Sequence, residues 1–164
     1  MTHPKHAPLT QFPIRDHCLV IGDLPLTRLA QRIGSTPFYA YDRKLISARI
    51  QFLRQHLPAG IHLHYAMKAN PMPAVVQHLA GLVDGMDVAS IGEMKVALDA
   101  GITPENISFA GPGKSRQELM CAIAADIVIN VESEHELETI AQLAEETGFQ
   151  PKIAVRVNPD FELK

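Results

Sequence analysis

Lys68 is the side chain best placed for covalent chemistry, because it follows the run Tyr65-Ala66-Met67 and stands just before a turn. An ammonium held against apolar side chains loses hydration, so its pKa falls and the neutral amine becomes free to attack a carbonyl carbon. The alternative is a lysine that snorkels at a strand end without a chemical task. Gly111-Pro112-Gly113-Lys114-Ser115 has the look of a phosphate loop, but the glycine required five positions before Gly113 is Ser108. That segment reads as a turn that opens a helix or as a loop beside the active site, and for Lys114 itself the turn is the expectation. His62 and His64 fall on one face of the same strand with no third ligand near in sequence, so interior packing or hydrogen bonding is expected and no metal site. His3 and His6 read as surface histidines of an extended N-terminal arm.

Tyr65-Ala66-Met67-Lys68-Ala69-Asn70 resembles the pyridoxal-phosphate lysine motif of the fold type III, alanine-racemase-like enzymes, in particular the diaminopimelate and ornithine decarboxylase branch. Four further segments follow in that family's order: Asp87-Val88-Ala89-Ser90-Ile91-Gly92-Glu93, Ile107-Ser108-Phe109-Ala110-Gly111-Pro112-Gly113-Lys114, Val131-Glu132-Ser133-Glu134-His135-Glu136-Leu137 and Val155-Arg156-Val157-Asn158-Pro159. The resemblance runs from about residue 37 to the last residue, and 155–164 is most similar to decarboxylases associated with exosortase systems. It implies that Lys68 is the Schiff-base lysine of pyridoxal 5′-phosphate, that Asp87 and Glu93 take part in catalysis, and that Asp87, Ser90 and Arg156 help bind the cofactor, Arg156 beneath its ring. The implied reaction is decarboxylation of an amino acid at Cα. Racemisation at Cα, or a non-catalytic relative that dimerises with a true decarboxylase, are the alternatives. Glu93 has a second explanation, a capping box with Ser90.

These residues need elements to place them. Pro4, Pro8 and Pro13 break any period in the first two dozen residues, and 24–33 reads as a short helix ended by Gly34. Residues 37–41 are β-rich and predict a strand. Asp42 is the expected N-cap of a helix to about Leu57, with Ile46, Ile50, Leu53 and Leu57 on one face. From there a unit repeats: Asn70, Ser90, Ser115, Ser133 and Asn158 stand at intervals of 20, 25, 18 and 25 residues, each after a strand and poised to cap a helix. The strands are expected near 61–67, 83–89, 106–110, 127–131 and 152–157, and in the first of them Ile61, Leu63, Tyr65 and Met67 face the helices. Nearly continuous apolar strands alternating with helices predict a parallel α/β sheet, with Lys68, Asp87, Ser90, Glu93, Gly113, Lys114 and Arg156 converging at the strands' carboxyl ends.

The resemblance makes this a pyridoxal-binding (β/α)8 TIM barrel. Only about five of the eight units are in the chain, since a complete barrel takes about 250 residues. Residues 1–41 are assigned to an arm and to a strand of a second, β-sheet domain, and 42–164 to the partial barrel. In the family the histidine stacked on the cofactor, the phosphate loop, the acid on the pyridine nitrogen and the substrate residues come later. The chain therefore reads as the N-terminal portion of a longer enzyme, inactive alone and with an exposed sheet edge. A doubly wound binding module is the competing architecture and would show reordered strands.

Composition agrees with a folded enzyme portion. With 46% hydrophobic residues the chain can form a core, and a net charge of −3 with both signs scattered gives nucleic acid nothing to bind. Two cysteines suit a reducing compartment better than a disulfide framework. No stretch reaches the roughly 18 apolar residues of a membrane span. A cytoplasmic homodimer acting on a small amino-acid substrate is the resulting expectation.

Overall fold

The computed structural model describes residues 10–160. Readings that fall on residues 1–9 or 161–164, such as those of His3 and His6, lie outside the described residues. The chain packs as two compact units that meet between Leu57 and Pro58.

In the first unit, what reads in sequence as an extended arm is a three-stranded antiparallel meander of β1 (Ile14–Arg15), β2 (Cys18–Ile21) and β3 (Leu24–Pro25). The reason is turn chemistry. Asp16-His17 and Gly22-Asp23 are two-residue loops with all four φ angles positive, the geometry that matches the twist of a tight hairpin. Helix α1 (Leu26–Ile33) ends as expected on Gly34 at φ 77°. Asp42 caps α2 (Arg43–His56): one carboxylate oxygen accepts from the Lys44 amide at 2.8 Å, the other from the Gly22 amide at 3.0 Å. Residues 37–41 do not form the predicted strand. A strand needs a partner for its backbone groups, and none pairs with this segment among the described residues.

The second unit is a five-stranded parallel sheet. Its strands β4 (His64–Ala66), β5 (Gly85–Val88), β6 (Ile107–Phe109), β7 (Val128–Val131) and β8 (Lys152–Val155) lie side by side in chain order. That order is the one a barrel requires and excludes the doubly wound alternative. Between them run α3 (Pro73–Ala80), α4 (Ile91–Asp99), α5 (Arg116–Ala124) and α6 (Glu134–Thr147). Strand β4 is shorter than its apolar pattern, because its ladder with β5 spans three residue pairs and Met67-Lys68-Ala69 then wind into a 3-10 turn.

Pairing register sorts the side chains into two faces. Met67, Met86, Val88, Ile107, Phe109, Ile129 and Val131 are buried on the helix side, against Val76, Leu79, Met94, Leu119 and Ile140 among others. Burying a side chain of this size stabilises by about 1.5–3 kcal/mol, so this layer holds the unit together. On β8 the same register brings Ile153 and Val155 to that side, yet they are 43% and 66% exposed, the uncovered edge anticipated from the strand count. Among the described residues no helix is long and apolar enough to cross a membrane.

Three helices start as the Ser-x-x-Glu spacing foretells, in two geometries. At α5 the box is closed: Glu118 accepts from the Ser115 amide at 3.0 Å while Ser115 Oγ accepts from the Glu118 amide. At α4 and α6 the glutamate reaches one residue further back, to the amides of Ala89 (2.7 Å) and Glu132 (2.9 Å). Asn70 caps no helix. Its side chain accepts from the Met72 amide, and α3 starts on Pro73, whose fixed φ suits a first helical position.

The Ser115 amide bond holds the Glu118 carboxyl below the ordinary carboxylate range. A depressed folded-state pKa contributes stability that is complete above the unfolded pKa and lost as pH falls through the folded one. Glu118→Gln is therefore expected to destabilise the protein more at neutral pH than at about pH 3, as compared by urea unfolding of both proteins at each pH.

Candidate active site

On the face of the sheet opposite the helix layer a file of polar side chains crosses four strands. Asp87 on β5 is its centre. Ser108 on β6 donates its hydroxyl to Asp87 Oδ1 at 2.6 Å, and Asn130 on β7 donates its side-chain amide to Ser108 Oγ at 3.3 Å. From the other flank His64 on β4 places Nδ1 3.3 Å from the same Oδ1. Register requires this alignment: Asp87 stands opposite Ala66 on one side and Ser108 on the other, and His64 opposite Gly85. His64 makes a hydrogen bond, as expected, but both it and His62 are exposed and neither is packed in an interior.

Lys68 sits two residues past the end of β4, on the 3-10 turn. Sequence reading expects an amine sheltered by apolar side chains; in the structure Lys68 is exposed. Met67 takes the buried position with no accessible surface, and its neighbour is turned out. The amine is therefore open at the carboxyl end of its strand, where a barrel carries its chemistry.

The expected convergence is partial. Ser90 Oγ accepts from the Glu93 amide at 3.2 Å, and Glu93 Oε2 accepts from the Ala89 amide, so both are engaged in starting α4. Arg156 lies just beyond β8, its guanidinium 57% exposed and 3.5 Å from Glu132, and its backbone amide donates to the Val131 carbonyl. Lys114 departs furthest from the sequence reading. It is neither a surface turn lysine nor a member of the polar file: 1% exposed, it donates to the carbonyls of Gly111 (2.7 Å) and Asn130 (2.8 Å) and to Glu136 Oε1 (2.9 Å). Glu136 accepts from the Glu132 amide, and Glu132 from the Gly111 amide at 2.7 Å. Gly111 holds φ 138°, which a residue with a Cβ rarely adopts. The outcome is a buried latch that ties the β6–α5 loop to the β7–α6 loop. Gly113 joins no bond of the latch among those described. A cavity of about 330 Å³ between α5 and α6, lined by Lys114, Arg116, Leu119, His135 and Glu136, contains none of the polar file.

Sequence reasoning missed Ser108, Asn130 and Glu132 as individuals, although each stands in or next to a segment it singled out. Strand alternation was the available signal, since Ser108 and Asn130 are the polar interruptions of otherwise apolar strands.

The donor set fits pyridoxal phosphate: a lysine amine open at a strand end, a carboxylate held on a neighbouring strand, and an exposed arginine at the far edge. Comparison with known proteins points the same way. The sequence model described as "Pyridoxal-dependent decarboxylase, pyridoxal binding domain" matches residues 43–164. Diaminopimelate decarboxylase of Aquifex aeolicus is 41% identical over 151 residues, which cover 92% of this chain and 36% of that protein. L-glutamyl-[BtrI acyl-carrier protein] decarboxylase of Niallia circulans is 41% identical over 140 residues, 82% of this chain and 32% of that one. The crystal structure of diaminopimelate decarboxylase from M. jannaschii in co-complex with L-lysine superimposes with a TM-score of 0.80 at 31% identity, over 92% of this chain and 36% of its own. The chain thus spans about a third of the length of the relatives it matches.

Proposed function

Because this chain belongs to the pyridoxal-dependent decarboxylases, matching their pyridoxal-binding domain over 43–164, we propose that it forms the cofactor-holding part of an enzyme that removes the Cα carboxylate of an amino acid. Within it, the meander and α1, up to residue 41, would belong to a second β domain, and the chain from 42 onward to the barrel. The observation that carries this reading is Lys68: the matched domain needs one lysine for its cofactor, and this one is exposed at the carboxyl end of β4, the strand next to the one that bears Asp87.

Lys68 Nζ would be the group that holds the cofactor, and once the substrate's amine has taken its place it would be free to carry a proton at that atom. Asp87, held by Ser108 and His64, would supply a negative charge to the cofactor site. Arg156 would help hold the cofactor, and Ser90 and Glu93, which start α4 beside the end of β5, would keep that loop in place, Ser90 for the cofactor and Glu93 for the substrate. When bound, pyridoxal phosphate supplies an electron-poor ring that takes up the electron pair left at Cα as carbon dioxide departs. The substrate is an amino acid, free or carrier-borne. Two free thiols, Cys18 and Cys121, support a reducing, cytoplasmic setting, and the intact enzyme is read as a homodimer.

Borohydride reduction of the full-length, cofactor-loaded protein followed by peptide mapping is expected to leave a pyridoxyl group on Lys68 alone. A label on another lysine refutes the assignment. Stoichiometric carbon dioxide release separates decarboxylation from racemisation, and a labelled protein that turns nothing over is a non-catalytic partner.

A further inference from the structure

Asp87 is clasped from both flanks by one oxygen. Ser108 donates to Oδ1 from β6 and His64 from β4, while among the described residues Oδ2 accepts no hydrogen bond. A carboxylate held by a single bond can rotate about its terminal torsion; two donors on the same oxygen from opposite sides fix its plane. The imidazole is itself seated. A carboxylate can only accept, so His64 Nδ1 carries the proton, and the ring lies over Gly85, the residue opposite it in the ladder. A Cβ at Gly85 would lie 2.6 Å from His64 Cε1 and would overlap the Asn106 carbonyl oxygen, so the ring occupies space that only glycine leaves.

This arrangement contributes little to stability. The two side chains are 31% and 44% exposed, and water screens a pair that open. We infer that His64 is a positioning residue: through its bond to Asp87 Oδ1, from its seat on Gly85, it orients Asp87 Oδ2 towards a donor on the bound cofactor or substrate. The inference rests on the proposed reaction for its kinetic consequence, but the contact itself can be read without turnover.

The test uses the full-length holoenzyme. His64→Phe, which keeps a flat ring over Gly85 and loses the donor, is expected to lower kcat about tenfold while leaving KM and the melting temperature nearly unchanged. His64→Asn, whose amide nitrogen can take the place of Nδ1, is expected to recover most of that loss. In an Asp87→Ala background, His64→Phe is expected to change kcat less than twofold, because the group it acts through is gone. Nitrogen-15 imidazole spectra of histidine-labelled protein, assigned by loss of the His64 signal in His64→Phe, should show an Nδ1-protonated ring that shifts in Asp87→Ala.

An unchanged kcat in His64→Phe, an equal loss in the Asp87→Ala background, or a fall in melting temperature that accounts for the lost rate would each overturn the inference. So would an imidazole signal indifferent to Asp87. A wild-type protein that releases no carbon dioxide yet shows the Asp87-dependent imidazole signal would count against the proposed reaction and leave the contact standing.

Discussion

Lys68→Ala in the full-length enzyme is expected to lose at least about a thousandfold in kcat/KM while its folding stability stays within about 0.5 kcal/mol of wild type. The two halves of that expectation come from one observation. Lys68 is exposed, and no hydrogen bond or ion pair engages its amine among the described residues, so truncation removes no packing and breaks no partner. What is lost is the only atom proposed to bond the cofactor. Lys68→Arg should fare no better, since a guanidinium keeps its charge at any working pH and is not a nucleophile. Steady-state decarboxylation and urea unfolding of the same preparations check both halves; an alanine variant that retains a tenth of the activity would remove Lys68 from the reaction.

The second large effect is expected at Lys114, which sequence reading placed in a turn that opens a helix at the strands' carboxyl ends. Lys114→Met should destabilise the protein by about 3–5 kcal/mol, because it leaves the Glu136 carboxylate, 7% exposed, buried without its countercharge. Two carbonyls, those of Gly111 and Asn130, lose their donor at the same time. Converting the partner as well, in Lys114→Met/Glu136→Leu, should recover the part of the loss due to the unpaired carboxylate, while the Glu132 amide and the Gly111 and Asn130 carbonyls still lack the partners that Glu136 and Lys114 supplied, at about 1 kcal/mol each. Urea midpoints of the two variants and the wild type decide it: a single variant within 1 kcal/mol of wild type would mean that water or a repacked side chain compensates the carboxylate. The latch joins the loops that follow β6 and β7, and Glu132, one of its members, is the acid beside Arg156.

The helix starts, the parallel strands and the lysine were legible for local reasons. Ser-x-x-Glu writes a helix N-terminus within four residues, as at Ser90, Ser115 and Ser133, and the spacing of those serines marks out the repeat. The meander at 14–25 was legible too, in Gly22-Asp23, but proline count overrode that signal. The strand at 37–41 failed because β propensity is only a disposition until another strand supplies the hydrogen bonds.

What the residues determined by themselves was a sequence of strand–helix units, the face each side chain takes on its strand, and a lysine motif like that of the pyridoxal enzymes, since all three are written in periodicities and motifs that span a few neighbours in the chain. Tertiary structure alone decided the fate of the charges. Asp87 met Ser108 and His64, and Lys114 met Glu136, across 21 to 23 positions of chain. Whether a lysine is an open nucleophile or a buried tie depends on which strands lie side by side and in what register. That depends on packing between distant segments, and no single stretch of sequence contains it.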